Sequence, residues 1–273
     1  MKLAIWNTPV AEFLISGLVA STASAGVEVV RDGPRACVSL LESHAVDVAL
    51  VPTISPLRDP DAYDLIPAIA LSSWAYPYAR LFLRGTLGNP IRSVAFDPLY
   101  ANEAVLTRII LKEQYGSDPA FVPYPSPSAE NLLGATEDAS LIVGNDVPLI
   151  RTERLALDLG QEWYELSSYP MVWGLFATLK GRARPELVRL LRDAIELTES
   201  RRSVWIRAQE MPPTLHEFYA EELRVRLDDL AIASLTELAH QLYAVSVLDE
   251  VAELPFVELP EDDESGDPRE PLL

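Results

Sequence analysis

The sequence is poor in cysteine, histidine and basic residues. Its 273 residues include one Cys and three His, and 22 Lys and Arg stand against 41 Asp and Glu, for a formal net charge of −19. The single Cys37 excludes an intrachain disulfide and any multi-cysteine zinc or iron–sulfur site. The wide spacing of His44, His216 and His240 argues against a histidine-built metal site. The acidic balance argues against binding to nucleic acids or anionic membranes, because both need a basic face.

Motifs for covalent catalysis and for nucleotide cofactors are also missing. The sequence has no G-x-S-x-G, no Cys–His arrangement with supporting spacing, no G-x-G-x-x-G and no P-loop. The sequence thus carries no signature of a nucleophilic hydrolase and no motif for a nucleotide cofactor.

The N-terminus allows two interpretations. Lys2, the apolar run FLISGLVA and Ala23-Ser24-Ala25 resemble a signal peptide with its cleavage site. However, Asn7, Pro9 and Glu12 interrupt the apolar run, and LAIW followed by EFLISGLVAS also fits a buried strand and the helix after it. We favour the second interpretation, in which residues 1–25 are part of the mature domain and the protein is cytoplasmic. No other segment approaches the ~20 apolar residues of a membrane span.

The pattern of the middle of the chain predicts an α/β fold with two lobes. The alternation of apolar strands and amphipathic helices over the first 50 residues or so is typical of a parallel sheet. Residues 91–150 repeat this pattern, and after Lys180 the sequence becomes helical, including the segment LHEFYAEELRVRL. We expect a first lobe of residues 1–90 plus 176–258 and a second lobe of residues 91–175. Proteins built in this way bind small molecules in the cleft between the lobes.

The last residues differ in composition from the rest. From Asp249 onward the chain contains ten acidic residues and one basic residue, Arg269. The stretch 259–273 has too few apolar groups to dock, so we predict a disordered acidic tail.

Polar residues at predicted strand ends are candidates for ligand contacts. Asn7 and Thr8 follow the first strand, where ligands of open α/β sheets bind, but both residue types also cap helices. The segment Asp97-Pro98-Leu99-Tyr100-Ala101-Asn102-Glu103 opens a helix whose free N–H groups could hold an anion, or whose Asn102 or Asp97 could simply be a cap.

Two further groups allow both a functional and a structural interpretation. Gly144-Asn145-Asp146 ends another strand, where it could contact a ligand or form an ordinary turn. Trp74, Tyr76, Tyr78 and Arg80 alternate along the chain, so one face of this set could clamp a ligand, although aromatic residues on strands often belong to the core.

Four segments resemble the MqnA/MqnD family, which has a type II periplasmic-binding-protein-like fold and acts in the futalosine route to menaquinone. In chain order they are DVALVPTISPLRDPDAYDLIPAIALSS, SVAFDPLYANEAVLTRIIL, ASLIVGND and LDLGQEWYELSSYPMVWGLFAT. The resemblance covers roughly residues 1–180 and is most specific in the last segment. It implies the two-lobed fold with C-terminal helices and, within the family, the chorismate dehydratase branch. That branch eliminates water from chorismate to give 3-[(1-carboxyvinyl)oxy]benzoate without a metal or organic cofactor.

The resemblance also implies roles for individual residues. Asn7 matches the family asparagine at the ligand and is the expected catalytic residue. The expected substrate contacts are Thr8, Ser55, Tyr76, Arg80, Tyr100, Asn102, Glu103, Asn145 and Tyr169. The expected partner is a small organic acid in the interlobe cleft, with neither nucleic acid nor membrane.

The sequence departs from the family pattern at three places. The family's Ser-x-Thr-Ser helix start falls on Tyr100 to Glu103, its Gly-Asp strand end falls on Gly144-Asn145, and its Gly-Pro-Val-x-Ser stretch falls on residues 76–80 without a clear serine. A glutamate at 103 would repel an anionic ligand if it faced the cleft. We expect it to point to solvent, since a helix start favours a glutamate for its own stability. The alternative function is a non-catalytic paralogue that binds a small molecule.

Overall fold

The structure is a computed structural model that describes residues 1–21, 26–86, 88–124, 128–251 and 253–258. The predicted acidic tail 259–273 and the predicted cleavage motif at residues 23–25 lie outside the described residues. Residues 2–20 form one strand and two short helices of the first lobe, as the mature-domain interpretation expects.

A mixed sheet forms the centre of the first lobe. Within the described residues its six strands lie in the order β11-β4-β10-β3-β1-β2. The strand β1 pairs in parallel with β2 and β3, whereas β10 is antiparallel to both β3 and β4. The strands are β1 (Lys2–Trp6), β2 (Glu28–Asp32), β3 (Val48–Pro52), β4 (Tyr63–Ser73), β10 (Met171–Leu179) and β11 (Leu223–Arg226).

A second sheet forms the other lobe. Its five strands within the described part of the chain lie in the order β7-β6-β8-β5-β9. β6 is parallel to β7 and β8, and β5 is antiparallel to β8 and β9. The strands are β5 (Ala79–Leu83), β6 (Ser93–Phe96), β7 (Ala120–Pro123), β8 (Ala139–Val143) and β9 (Ala156–Asp158).

Helices cover both sheets and make up more than half of the described residues after β10. They are α1 (Pro9–Leu14), α2 (Ser16–Ala20), α3 (Pro34–Glu42), α4 (Ile54–Arg58), α5 (Ala101–Tyr115), α6 (Ala129–Leu133), α7 (Leu159–Ser167), α8 (Pro185–Ser200), α9 (Arg202–Ala208), α10 (Pro213–Glu217) and α11 (Asp229–Ala244). No helix among the described residues is both long and apolar enough to cross a membrane.

The two central strands of the first sheet are continuous apolar runs because both of their faces are covered. Every residue of β3 is buried, and so is every residue of β10 except Leu179. Such runs are typical of the interior of a sheet covered by helices on both faces. Since β10 returns from the second lobe into the middle of the first sheet, it ties the lobes together.

The chain crosses between the lobes at other positions than expected. β5 begins at Ala79 and belongs to the second sheet, so that sheet starts before residue 91. β10 enters the first sheet at Met171, ahead of the expected residue 176. The crossings are therefore the segments 74–78 and 168–170.

The predicted helix over LHEFYAEELRVRL is wrong in its second half. Helix α10 ends at Glu217, a π-helical turn follows over Phe218–Glu222, and β11 then adds an edge strand to the first sheet. Leu223 and Val225 are buried and alternate with two arginines, which is the period of a half-buried strand.

Candidate functional site

A cavity of about 240 Å³ lies between the lobes, at the carboxyl ends of strands from both sheets. The amide Nδ2 of Asn145, just after β8, donates a hydrogen bond to the backbone carbonyl oxygen of Asn7, just after β1, at 3.4 Å. The cavity is lined by Trp6, Asn7, Thr8, Gly33, Pro34, Tyr76, Tyr78, Tyr100, Glu103, Val143, Gly144 and Asn145. It is smaller than the roughly 300–1,000 Å³ pockets of drug-sized ligands, so it suits a small ligand.

Asn7 and Thr8 have different roles at the start of α1. The hydroxyl of Thr8 accepts a hydrogen bond from the backbone N–H of Ala11 at 3.4 Å and so caps the helix. The backbone N–H of Asn7 donates to the carbonyl oxygen of Asp32 at 2.9 Å, which fixes its position. Among the described residues, the Asn7 carboxamide has no hydrogen-bond partner, so it is available to a ligand.

Aromatic side chains form one wall of the cavity. The ring of Tyr76 stacks on the indole of Trp173 in β10, with centroids 4.1 Å apart and planes inclined by 22°. The hydroxyl groups of Tyr78 and Tyr219 are hydrogen-bonded at 2.9 Å. The backbone N–H of Tyr76 donates to Oδ1 of Asp158 at 2.6 Å, which anchors the crossing segment.

Glu103 faces the cavity, so the expectation that it points to solvent is wrong. It lies in the first turn of α5, is partly buried, and also lines a smaller adjoining cavity of about 20 Å³. Burial raises the pKa of its carboxyl group from an ordinary 4.5 to about 7. None of the described residues that line the two cavities is Lys, Arg or His. At neutral pH this carboxyl group can therefore both hold and release a proton.

Tyr100 extends the polar part of the wall next to Glu103. It precedes α5 and makes no side-chain cap for that helix; Asp97 instead caps the short 3-10 turn Pro98–Tyr100, accepting from the N–H of Leu99 at 3.0 Å. Burial, with smaller contributions from Glu103 and Asp97, raises the pKa of the Tyr100 hydroxyl. That hydroxyl thus stays protonated at neutral pH and can donate a hydrogen bond.

Four of the expected substrate contacts lie outside this cavity. Nε of Arg80 is 3.9 Å from Oδ2 of Asp158, and Arg80 does not line the cavity. Asn102 lines only the small adjoining cavity, with Thr53 and Trp173. Ser55 in α4 and Tyr169 in the crossing 168–170 line neither cavity. Because Arg80 is paired with Asp158 and lines neither cavity, it does not offset the charge of Glu103.

Some cavity residues were not anticipated from the sequence. Gly33 and Pro34 follow β2, which is parallel to β1, so their position follows once both strands are recognised. Trp6 is held by a hydrogen bond from its Nε1 to the carbonyl oxygen of Leu50 at 2.8 Å. Its ring has room because position 174 is glycine: a Cβ atom there would lie 2.6 Å from the Trp6 ring. This long-range requirement has no local sequence signal.

Comparison with solved structures identifies the fold. Protein AF1704 from Archaeoglobus fulgidus is similar with a TM-score of 0.60 and 15% identity, covering 90% of this chain and 98% of that one. The periplasmic aliphatic sulphonate binding protein SsuA from Escherichia coli is similar with a TM-score of 0.61 and 12% identity, covering 93% and 95%. The alkanesulfonate-binding protein SsuA from Xanthomonas axonopodis pv. citri is similar with a TM-score of 0.59 and 14% identity, covering 94% of this chain and 97% of that one. The predicted periplasmic-binding-protein-like fold is therefore confirmed.

Comparison of the sequence identifies the family. No curated protein matches the sequence. The family model described as menaquinone biosynthesis matches residues 1–244, which include both lobes and α11. The predicted resemblance is thus confirmed, and the chain belongs to the menaquinone biosynthesis family.

Proposed function

We propose that the protein is a hydro-lyase that eliminates water from chorismate in the cavity between the lobes. Membership of the menaquinone biosynthesis family supports a role in that pathway. The reaction removes a proton from one ring carbon and hydroxide from its neighbour. The C–H electron pair becomes the new ring double bond, the ring becomes aromatic, and the two fragments leave as one water molecule. The products are 3-[(1-carboxyvinyl)oxy]benzoate and water.

The observation that carries this proposal is the meeting of Asn7 and Glu103 in one small cavity. Asn7 offers at the end of β1 a carboxamide that has no partner among the described residues and can orient the ring through hydrogen bonds. Glu103 offers a carboxyl group with a pKa of about 7 at the start of α5. With a pKa close to the working pH, this carboxyl group can donate a hydrogen bond to the substrate as the neutral acid or accept one as the carboxylate. The ring of Tyr76, which lines the cavity and is backed by Trp173, gives a cyclic substrate an aromatic surface.

The location that we propose for this reaction is the cytoplasm. Cleavage after residue 25 would remove β1, whose end carries Asn7 and whose position is between β2 and β3. Retention of this segment is therefore necessary for the site as proposed.

The test is incubation of the purified protein with chorismate, followed by mass spectrometry. We expect chorismate to lose 18 mass units, the mass of one water molecule, at a rate proportional to protein concentration. The product should also show the ultraviolet absorption of a substituted benzoate. Unchanged chorismate in the presence of folded protein would contradict the proposal.

A second candidate function is non-catalytic binding of a small organic ligand. It is favoured by the cavity's lack of a basic side chain and by Glu103 at the position of a family serine, since both disfavour a fully ionised dicarboxylate. Calorimetric titration separates the two functions. Saturable binding of chorismate, or of a simpler ring carboxylate, without any loss of water would support the binding protein.

A further inference from the structure

Among the described residues, none that lines the two cavities of Glu103 carries a positive charge. From the crossing 74–78 it is faced by Tyr76 and Tyr78, and from the turn before α5 by Tyr100. The elements of the first lobe that share its two cavities contribute only uncharged side chains. These are Trp6, Asn7, Thr8, Pro34, Pro52, Thr53, Ile54, Met171 and Trp173.

Two carboxyl groups that act on these tyrosines would also repel an anion when ionised. Asp158 acts electrostatically on Tyr76, and Asp97 acts on Tyr100. Arg80, two residues after Tyr78, is paired with Asp158 and lines neither cavity. Glu103 is thus a carboxyl group in an uncharged, aromatic cavity, and its strongest local support for a negative charge is the start of α5.

A neutral carboxyl group has a different chemistry from a carboxylate. A carboxylate only accepts hydrogen bonds and would repel a ligand carboxylate, whereas a protonated carboxyl donates one O–H. Hydrogen bonds to an ionised acceptor are short and strong, so a carboxylic acid facing a carboxylate makes a favourable pair. Two carboxyl groups that share one proton in this way are known to be stable in buried sites.

We propose that Glu103 binds the carboxylate of a single-ring organic acid as a neutral hydrogen-bond donor, so that the ligand enters together with one proton. The inference rests on the proposed use of this cavity by a cyclic carboxylate. It adds that Glu103 is protonated when this ligand is bound. It makes Glu103 the residue that selects a carboxylate over the corresponding amide. It also explains how a family serine position can hold a glutamate without excluding acidic ligands.

The proposal predicts a specific dependence of affinity on pH. Burial raises the pKa of free Glu103 to about 7. Above that pH the free protein must first take up a proton, whereas below it the proton is already present. The dissociation constant should therefore be nearly constant below pH 6 and about tenfold higher at pH 8 than at pH 6.

The experiment is isothermal titration of the full chain with 3-hydroxybenzoate and with 3-hydroxybenzamide. It is done at pH 6 and pH 8 in two buffers of different ionisation enthalpy, which gives the number of protons taken up. For 3-hydroxybenzoate we expect close to one proton at pH 8, close to none at pH 6 and about tenfold weaker binding at pH 8. The amide should bind more weakly at pH 6 and show no proton uptake.

Three variants identify the group that takes up the proton. Glu103→Gln keeps a donor but cannot titrate, so its affinity should be equal at both pH values, without proton uptake. Glu103→Ser should behave in the same way and provides a second variant if the first fails to fold. Glu113→Gln, on the exposed side of the same helix, is the matched control and should keep the full pH dependence.

The outcomes separate this inference from the proposed function. Proton-coupled binding of 3-hydroxybenzoate without turnover of chorismate would support the inference and contradict the hydro-lyase. Turnover of chorismate together with pH-independent binding of 3-hydroxybenzoate would support the hydro-lyase and contradict the inference. Proton uptake that persists in Glu103→Gln, or failure of the ring carboxylate to bind at pH 6, would overturn the inference.

Discussion

The side-chain amide of Asn145 donates a hydrogen bond at 3.4 Å to the backbone carbonyl oxygen of Asn7, and so links the end of β8 to the end of β1. The bond uses the backbone of Asn7 and leaves its carboxamide free. Because Thr8 caps α1, the helix has no need of the Asn7 side chain. The polar group at the end of the first strand is therefore available for a ligand.

Replacement of Asn7 by alanine should reduce turnover far more than stability. A positioned polar group of this kind typically contributes about 10²–10³ in rate, whereas the melting temperature should stay within a few degrees. Turnover of chorismate and thermal unfolding are measured on the same preparation. Ser128→Ala is the control, because Ser128 caps α6 away from the cavity through the N–H of Asn131. It should cost about 1 kcal/mol of stability and spare turnover. Stability loss without loss of turnover in Asn7→Ala would remove Asn7 from the site.

The buried pair of Tyr78 and Tyr219 should show coupled energetics. Removing one hydroxyl leaves the other without its partner, so each single change to phenylalanine should lower the free energy of unfolding by about 1–2 kcal/mol. The double variant should be less destabilised than the sum of the two, because no unpaired hydroxyl remains. Denaturant unfolding of the four proteins gives the coupling. Strict additivity would mean that the hydroxyl groups do not interact.

Gly17 should tolerate no side chain at the contact between α2 and α8. A Cβ atom there would lie 2.0 Å from the carbonyl oxygen of Ala194, and the N–H of Gly17 donates to the hydroxyl of Thr198 at 2.9 Å. Gly17→Ala should therefore destabilise the protein by about 3 kcal/mol or more. Gly134→Ala is the control, since its Cβ would meet only ordinary contacts from 3.4 Å. Thermal unfolding of both variants checks this, and equal melting temperatures would contradict the packing.

The raised pKa of Glu103 should make stability depend on pH. The folded protein holds this proton more tightly than the unfolded chain, whose glutamate titrates near 4.5. The contribution of this proton to the free energy of unfolding is therefore lost as the pH rises from about 4.5 to about 7, and it does not change further above that pH. Glu103→Gln cannot ionise and so avoids the cost of a buried charge. The free energy of unfolding of the variant should therefore exceed that of the natural protein by near zero at pH 4.5 and by about 3 kcal/mol at pH 8.

Urea unfolding at several pH values measures that gain. The pKa values of Asp158, Glu162 and Glu222 are also raised by burial, but their contributions cancel in the difference between the two proteins. Glu113→Gln serves as the matched control and should show a difference that does not vary with pH. A gain from Glu103→Gln that is the same at pH 4.5 and pH 8 would mean that Glu103 titrates normally.

Much of the fold could be predicted from the sequence because its strands are strongly apolar. The run Val48–Pro52 is buried throughout, and the apolar run Met171–Leu179 is buried except for Leu179. The positions of Asn7 and Asn145 followed from the same logic, since both come directly after a strand. Both residues line the cavity.

Other features depend on contacts that a linear pattern does not contain. The direction of Glu103 depends on how α5 packs in the fold, because a glutamate in the first turn interacts favourably with the helix N-terminus whichever way its side chain faces. The strand β11 was missed because Leu215, Phe218, Tyr219 and Leu223 keep a helical spacing up to its first residue, and the strand is only four residues long. The boundary near Ala79 was missed because the sequence has the composition of a strand on both sides of Pro77, so it does not show that the two strands belong to different sheets.

A crystal structure with 3-[(1-carboxyvinyl)oxy]benzoate, the product of the proposed reaction, tests the central claim most directly. We expect its ring in the cavity between the lobes, against Tyr76, with the Asn7 carboxamide in contact and one carboxylate within hydrogen-bonding distance of Glu103. A larger cavity of about 550 Å³, lined in part by His44, Arg182 and Arg184, lies elsewhere on the first lobe. Density for the compound there, with the interlobe cavity empty, would contradict the account.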